Sequence, residues 1–291
     1  MPVPELREQW TLNCRSLSVH RAARPVIHNI SFTLRSGECV CLIGPNGSGK
    51  TTLLLTLLGL LKPAAGQVIL SLEPDQHKSA DRSPSGKPTT TETALNRIPA
   101  RERGRFVAYV PQTLTTITDF TVYDIVAAGR FPYVSPLRPL AQSDEAIVRR
   151  AMSLCEIESL TDRPISAVSG GERQKALLAA AVAQDTPLVL LDEPTNSLDP
   201  AYQIALARLI LEWNAQGRTV VTVSHDLQLA AALGGRTIAL RAGRIAADGP
   251  ADEILTPSLL GTIYGSEFVA IKLPDGRNSI SPAWPARSSK N

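Results

Sequence analysis

The sequence has little of what marks a membrane-spanning or nucleic-acid-binding chain. Its 291 residues carry a formal net charge of only +3, and no run of Lys or Arg forms a basic arm. No stretch approaches the roughly 18 uninterrupted apolar residues that a membrane-spanning helix needs. The best candidate, residues 176–183, ends at Gln184. We therefore expect no membrane span and no nucleic-acid partner.

The N-terminal segment also lacks the apolar stretch of a secretory signal. Residues 1–10 carry Glu5, Arg7 and Glu8, whereas a signal peptide follows its basic start with an apolar region. A cytosolic location is the default expectation. The composition, 43% hydrophobic and 20% charged, is ordinary for a globular chain that is long enough to bury one sizeable core.

The 4 cysteines are few and irregularly spaced. Cys39 and Cys41 lie two residues apart in a segment that predicts a strand, so both would lie on one face of it. They could form half of a metal site, or they could be two small buried hydrophobic residues. We favour the second interpretation, because no second ligand pair follows at a spacing typical of zinc sites.

Short apolar segments alternate with helical patterns along most of the chain. Strands are predicted within residues 10–43 and at 67–72, 106–110, 188–191, 219–223, 237–240 and 244–247, and helices at 50–60, 121–128, 144–156, 171–183, 201–213 and 226–233. This alternation predicts an α/β fold with a parallel sheet that is covered on both faces. The helices between about residues 116 and 180 predict a separate helical lobe.

Residues 73–92 differ in composition from the rest of the chain. They are polar, rich in Ser, Thr and Pro, and without apolar periodicity. Such a segment cannot bury enough surface to offset the entropy lost on ordering. We predict a disordered surface insertion there, and a partly disordered C-terminal extension at residues 271–291.

A phosphate-binding loop is predicted between a strand and a helix. The residues that fit the pattern G-x-x-x-x-G-K-[ST] are Gly44, Pro45, Asn46, Gly47, Ser48, Gly49, Lys50 and Thr51. The glycines let successive backbone N–H groups close around phosphate oxygens, and the helix adds the positive end of its dipole. We expect Lys50 to reach the β- and γ-phosphates of a nucleotide and Thr51 to hold Mg²⁺, with Thr52 beside it in the nucleotide site.

A second predicted element is an apolar strand that ends in two carboxylates. Residues 188–191 are followed by Asp192 and Glu193. Both would lie at the carboxyl edge of a parallel sheet, where ligands collect in open α/β folds. We expect Asp192 to complete the Mg²⁺ shell and Glu193 to be a catalytic residue that polarises the attacking water.

Five motifs in order make the chain resemble the ATPases of ABC transporters. They are the phosphate loop, Tyr109–Gln112 resembling the Q-loop, Val168–Gln174 resembling the signature sequence, Asn196–Asp199 resembling the D-loop, and Ser224–Asp226 resembling the switch-histidine segment. The resemblance covers Leu12 to about Gly265. It implies a P-loop NTPase fold of ABC ATPase architecture over residues 1–270, with ATP and Mg²⁺ as cofactors. That architecture has a mixed, mainly parallel sheet core, an antiparallel β lobe and a helical signature lobe.

The resemblance also implies an ATP site that two chains share. The signature residues that open a helix are Ser169, Gly170, Gly171 and Glu172. In a head-to-tail homodimer they would meet the γ-phosphate of ATP held by the other subunit. The family pattern makes His225 a catalytic residue that hydrogen-bonds the γ-phosphate, together with Glu193 and Lys50. Gln112 would contact Mg²⁺ or water and report its state to the partner.

The adenine contact departs from the family pattern. The family usually stacks an aromatic side chain on adenine near the end of an early strand, where this chain has Val19, His20 and Arg21. Either His20 or Arg21 can stack, and neither is the usual Tyr or Phe.

Within the family, the chain resembles ATPase subunits of metal-chelate importers. Thr121–Tyr133 and the C-terminal run from Ile263 to Pro282 carry this resemblance. It implies an iron-siderophore, haem or cobalamin cargo, separate permease subunits with a coupling helix docked near Gln112, and indirectly a substrate-binding protein. The chain would lie peripherally on the cytoplasmic side of the inner membrane. The alternatives are another ABC importer, an exporter with separate permeases and, less favoured, a non-transport ABC ATPase.

Overall fold

Two large sheets and one two-stranded sheet organise the part of the chain that the computed structural model describes. The described residues are 8–72, 91–113, 120–135, 138–196, 198–272 and 278–284. The strands are β1 (Trp10–Arg21), β2 (Arg24–Arg35), β3 (Cys39–Ile43), β4 (Ala65–Leu72), β5 (Thr91–Ala94), β6 (Val107–Val110), β7 (Leu188–Asp192), β8 (Thr219–Val223), β9 (Arg236–Arg241), β10 (Arg244–Pro250), β11 (Phe268–Lys272) and β12 (Asn278–Pro282). The helices are α1 (Lys50–Leu57), α2 (Ala100–Phe106), α3 (Val122–Ala128), α4 (Gln142–Leu154), α5 (Gly170–Gln184), α6 (Pro200–Ala215), α7 (Leu227–Leu233), α8 (Ala251–Ile254) and α9 (Pro257–Tyr264).

The central sheet has the strand order β10-β9-β3-β8-β7-β6. Its pairings are parallel from β6 through β7, β8 and β3 to β9, and only β10 is antiparallel. Every residue of β3, β7 and β8 is buried. A strand that is covered on both faces does not need to alternate apolar with polar residues, which is why β3 is a continuous apolar run and β7 is one up to Asp192. The two threonines of β8, Thr219 and Thr222, are also buried. The predicted α/β fold with a mainly parallel sheet is confirmed.

Alternate residues of the central strands enter different cores. On β7, Leu190 packs in the core that α1 forms with the antiparallel sheet β2-β1-β4-β5, whereas Leu191 packs in the core of the helical lobe. The first core also contains Trp10, whose ring meets that of Phe106 edge to face at 4.9 Å. Because successive side chains of a strand point to opposite faces of the sheet, β7 is held between these two cores.

The helical lobe is built by α3, α4 and α5. A single side chain, Arg130, links them: its Nη1 donates to the Ala183 carbonyl oxygen at 2.7 Å and its Nε pairs with Asp144 at 2.9 Å. The Arg130 guanidinium lies 4.1 Å from the centre of the Tyr133 ring, a cation–π contact. Arg130 and Tyr133 therefore pack the loop after α3 against α4 and α5.

Several predicted boundaries are wrong. The helix predicted at 50–60 ends at Leu57, and the helix α2 was not predicted. Residues 73–90 of the predicted insertion lie outside the described residues, but Thr91 and Glu92 begin β5, where Glu92 pairs with Arg15 at 2.7 Å. The predicted insertion therefore ends too late.

The predicted boundary between residues 270 and 271 falls inside β11. Phe268 and Ile280 of the β11–β12 hairpin are buried in a core with α8 and α9, so the hairpin belongs to the domain. Residues 273–277 and 285–291 of the predicted extension lie outside the described residues. Among the helices that the structure describes, none has the length and apolar character to cross a membrane.

Candidate nucleotide site

The phosphate loop, residues 44–49, joins the end of β3 to the start of α1. Gly44 and Gly49 have φ values of 140° and 103°, a range that side chains disfavour. A Cβ atom on Gly44 would lie 2.0 Å from the Leu240 carbonyl oxygen, and one on Gly49 would lie 2.6 Å from Ile27. Both positions need glycine, so that the loop backbone can close into a cradle.

Lys50 lies inside this cradle, where it is only 6% exposed. Its Nζ donates to the carbonyl oxygens of Gly44 at 2.7 Å and Pro45 at 3.1 Å. Burial lowers the pKa of Lys50, while the carboxylates of Glu193 and Asp192 oppose that shift. The ammonium is thus held by backbone oxygens at the place where the sequence predicts contact with phosphates. Thr52 is buried in the same first turn of α1.

Two of the three predicted Mg²⁺ ligands lie together. The Thr51 hydroxyl donates to Asp192 Oδ1 at 3.3 Å, and Asp192 is 1% exposed. Burial raises the pKa of Asp192, and the hydrogen bonds from Thr51 and Tyr109 oppose that shift. A hydroxyl and a carboxylate beside a phosphate cradle are oxygen donors of the kind Mg²⁺ prefers, so these residues fit the ion.

Tyr109 is a site residue for which the sequence predicted no role. Its hydroxyl donates to Asp192 Oδ2 at 3.2 Å, so both oxygens of that carboxylate are held by neighbouring side chains. Parallel pairing of β6 with β7 places Tyr109 beside Leu190. The role of Tyr109 depends on the pairing register of β6 and β7, which cannot be read from a single sequence.

The third predicted ligand, Gln112, contacts the carboxylate of Glu193. Its Nε2 donates to Glu193 Oε2 at 2.6 Å. Asn196 Nδ2 donates to the same oxygen at 2.6 Å, and His225 Nδ1 lies 3.6 Å from it. Three predicted motifs therefore converge on one carboxylate. Glu193 itself has a φ of 47°, a strained value for a residue with a side chain.

The signature residues form the start of α5. Ser169 is the N-cap: its Oγ accepts from Glu172 N at 3.2 Å, and Glu172 Oε2 accepts from Ser169 N at 2.8 Å. Hydrogen bonds from the backbone N–H of Ser169, and next from its side chain, lower the pKa of Glu172. The Ser169 hydroxyl takes part in this capping box at the exposed start of the helix.

The two halves of the predicted site do not meet within one chain. Across the described residues, no hydrogen bond or ion pair joins residues 44–52 to residues 169–172. Ser169 and Gly170 are exposed, and Gly171 is partly exposed. The start of α5 is therefore open to a ligand from outside the chain.

The predicted adenine contact lies at the end of β1. Both His20 and Arg21 are exposed there. The pKa of Tyr109 is raised, first by burial and then by Asp192, while the charge of Arg21 opposes that shift. The adenine contact stays a prediction, with His20 and Arg21 as its two candidates.

The cysteines Cys39 and Cys41 behave as buried residues of the core. Both are free and buried on β3, and burial raises the pKa of Cys39 to about 11. Within the described ranges, no group of three or more His, Cys, Asp or Glu side chains could hold a metal ion by itself. This favours the hydrophobic interpretation over half of a metal site.

A phosphate cradle, a Thr–Asp pair and a carboxylate held by three other motifs define a nucleotide hydrolase. Residues 27–196, more than half of the chain, match the model of the ABC transporter family. The chain belongs to that family and is an ATPase.

Two similar proteins are named as ATP-binding proteins of import or transport systems. The chain is 40% identical over 269 residues to the hemin import ATP-binding protein HmuV of Nocardia farcinica, covering 91% of this chain and 86% of the relative. It is 37% identical over 250 residues to the ferric enterobactin transport ATP-binding protein FepC of Escherichia coli, covering 86% and 85%.

Solved structures share the fold. One is described as a metal-chelate type ABC transporter in an inward-facing conformation, with a TM-score of 0.74, 24% identity, and coverage of 94% of this chain and 98% of that one. Another is the dimeric bacterial ABC transporter cassette MJ0796, with a TM-score of 0.67, 22% identity, and coverage of 82% and 98%. The ABC ATPase architecture predicted from the motifs is confirmed.

Proposed function

We propose that this chain is the ATP-binding and ATP-hydrolysing subunit of an importer for a metal chelate of the haem or ferric siderophore type. One observation carries the proposal: the chain is 40% and 37% identical to ATPases named for hemin and ferric enterobactin, over 85% or more of both chains in each pair. It would act peripherally on the cytoplasmic side of the inner membrane, with separate permeases and indirectly a substrate-binding protein.

The residues support a hydrolytic mechanism in which Glu193 receives the proton of water. In the described part of the chain, the contacts from Gln112, Asn196 and His225 all fall on Glu193 Oε2. This leaves Oε1 to accept a proton from the attacking water. Mg²⁺, held with ATP by Thr51 and Asp192, would neutralise phosphate charge.

The ATP site is completed in trans, by a second copy of the chain. The support is the exposed start of α5 at Ser169 and Gly170. Among the described residues, no hydrogen bond or ion pair joins that start to the phosphate loop of its own chain. In a head-to-tail homodimer the start of α5 would face the γ-phosphate held by the partner. A bacterial cassette of the same fold is a dimer.

Mixing two inactive variants tests this arrangement. Lys50→Ala disables the phosphate loop, and Ser169→Arg disables the start of α5. In the mixed dimer one site contains both defects and the other contains neither. We therefore expect a 1:1 mixture to recover up to about a quarter of the wild-type rate of phosphate release, because half of the dimers are mixed and each has one intact site.

The single variants, assayed alone at the same total concentration, provide the control. If each chain completed its own site, every chain in the mixture would carry a defect, and mixing would recover nothing. That result would contradict the shared site.

We also propose a contact surface for the permease, between α2 and the loop after α3. An open pocket of about 610 Å³ lies there, and Phe131, 69% exposed, forms part of its wall. Arg101 fixes the loop by donating to the carbonyl oxygens of Pro132 at 3.1 Å and Val134 at 2.7 Å. An exposed aromatic ring on a fixed backbone is typical of an interface anchor. Gln112 does not line this pocket, so the groove expected beside it stays a prediction.

Reconstituted transport tests the proposed cargo. The chain would be co-purified with its permease and placed in liposomes, with ATP on the side of the ATPase. We expect ATP-dependent accumulation of haem or a ferric siderophore on that side, and none with the Glu193→Gln variant. Accumulation on the opposite side would identify an exporter, and selective transport of cobalamin would replace the proposed cargo.

A further inference from the structure

The C-terminal segment, residues 251–272 and 278–284, packs directly against the strand that leads into the phosphate loop. Leu260, Ile263 and Phe268 share a buried core with Cys41 and Ile43 of β3. The segment lies wholly beyond the residues that match the family model, which end at residue 196. None of the five motifs includes this segment.

One side chain of this segment reaches the phosphate loop itself. Tyr264, the last residue of α9, accepts a hydrogen bond at its hydroxyl oxygen from the backbone N–H of Gly44, at 3.0 Å. Its ring lies 5.6 Å from the ring of Phe268. Burial raises the pKa of Tyr264 to about 12, so the hydroxyl stays neutral at physiological pH.

Gly44 is held on both sides. Tyr264 binds its N–H, and Lys50 Nζ binds its carbonyl oxygen at 2.7 Å. A side chain at position 44 could not hold the loop instead, because its Cβ atom would lie 2.0 Å from the Leu240 carbonyl oxygen. If Lys50 turns to the phosphates when ATP binds, Tyr264 becomes the side chain that still holds Gly44 in place.

The C-terminal segment also contacts α7, the helix that follows the switch-histidine segment. Gln228 Nε2, on α7, donates to the Ile280 carbonyl oxygen of β12 at 2.7 Å. The helix α7 starts directly after the segment that contains His225, with Asp226 as its N-cap. The C-terminal segment thus contacts the phosphate loop through α9 and the switch-histidine helix through β12.

We propose that Tyr264 is a positioning residue for ATP binding, which holds Gly44 so that the amides of the phosphate loop point at the phosphates. The inference rests on the proposed location of ATP at this loop. The residue acts through the backbone and does not touch the substrate. Its effect should therefore fall on nucleotide affinity and not on the chemical step.

The Tyr264→Phe variant of the full-length chain tests this role, because it keeps the ring and removes the hydroxyl. We expect the Kd for a non-hydrolysable ATP analogue and the KM for ATP to rise about three- to tenfold, which is the loss of one neutral hydrogen bond. The kcat should stay within about twofold of wild type.

Tyr133→Phe is the matched control, since its hydroxyl contacts the Asp185 carbonyl oxygen at 3.4 Å in the helical lobe. It should leave Kd and KM unchanged. The inference is overturned if Tyr264→Phe behaves like this control, or if it lowers kcat with KM unchanged. Lys50→Ala separates the two proposals: if that variant still binds the analogue as wild type does, the proposed ATP site is wrong.

Discussion

Replacing Glu193 by glutamine should stop ATP turnover and leave the chain as an ATP-bound dimer. The amide cannot take a proton from water, and loss of a general base lowers a rate by about 10²- to 10⁴-fold. An amide oxygen can still accept from Gln112 and Asn196, which donate to Glu193 at 2.6 Å each. Binding and closure should therefore survive while hydrolysis fails.

Two measurements on the Glu193→Gln variant check this prediction. Phosphate release reports turnover, and light scattering after size exclusion with ATP reports the dimer. Glu212→Gln is the matched control, because Glu212 is exposed on α6, and it should turn over normally. A Glu193→Gln chain that stayed monomeric with ATP and hydrolysed it at the normal rate would show that the assigned role is wrong.

Replacing Lys50 by alanine should remove ATP binding almost completely. A buried ammonium that contacts two phosphates makes charge-assisted hydrogen bonds worth about 1.5–3 kcal/mol each, so their loss lowers affinity by about 100-fold or more. The loop would also lose the contacts of Nζ with the Gly44 and Pro45 carbonyl oxygens. We therefore also expect a small decrease in the melting temperature of the protein.

Equilibrium binding of a fluorescent ATP analogue, with and without Mg²⁺, measures the Lys50→Ala effect. Lys62→Ala removes the charge of an exposed lysine soon after α1 and serves as the control. Wild-type affinity in the Lys50→Ala chain, in a protein that melts normally, would refute the assignment of the phosphate loop as the ATP site.

The motifs predicted the fold because each depends on local chemistry. The loop at Gly44 needs glycine for its φ values, and Lys50 opens a helix directly after it. The carboxylates at Asp192 and Glu193 follow a strand whose burial is visible as an apolar run. These relations span a few residues, so one sequence contains them.

What the sequence could not predict depends on contacts between distant parts of the chain. Tyr264 is 220 positions from Gly44, and its place is set by how α9 packs in a core with β3. The charged helix α2 was missed because arginines at positions 101, 103 and 105 hide its pattern, although Arg101 and Arg105 both donate to the Pro132 carbonyl oxygen. No periodicity in a sequence reports such a partner.

The carbonyl oxygens that hold Lys50 also bear on how product leaves. An ammonium buried without a partner would make departure of ADP costly, since a bare charge would remain behind. Here the carbonyl oxygens of Gly44 and Pro45 accept hydrogen bonds from Lys50 Nζ at 2.7 and 3.1 Å, so the ammonium has partners without a nucleotide. In the proposed ATP cycle, Lys50 would exchange the phosphate oxygens for these carbonyl oxygens, which would favour rapid nucleotide exchange over very tight retention.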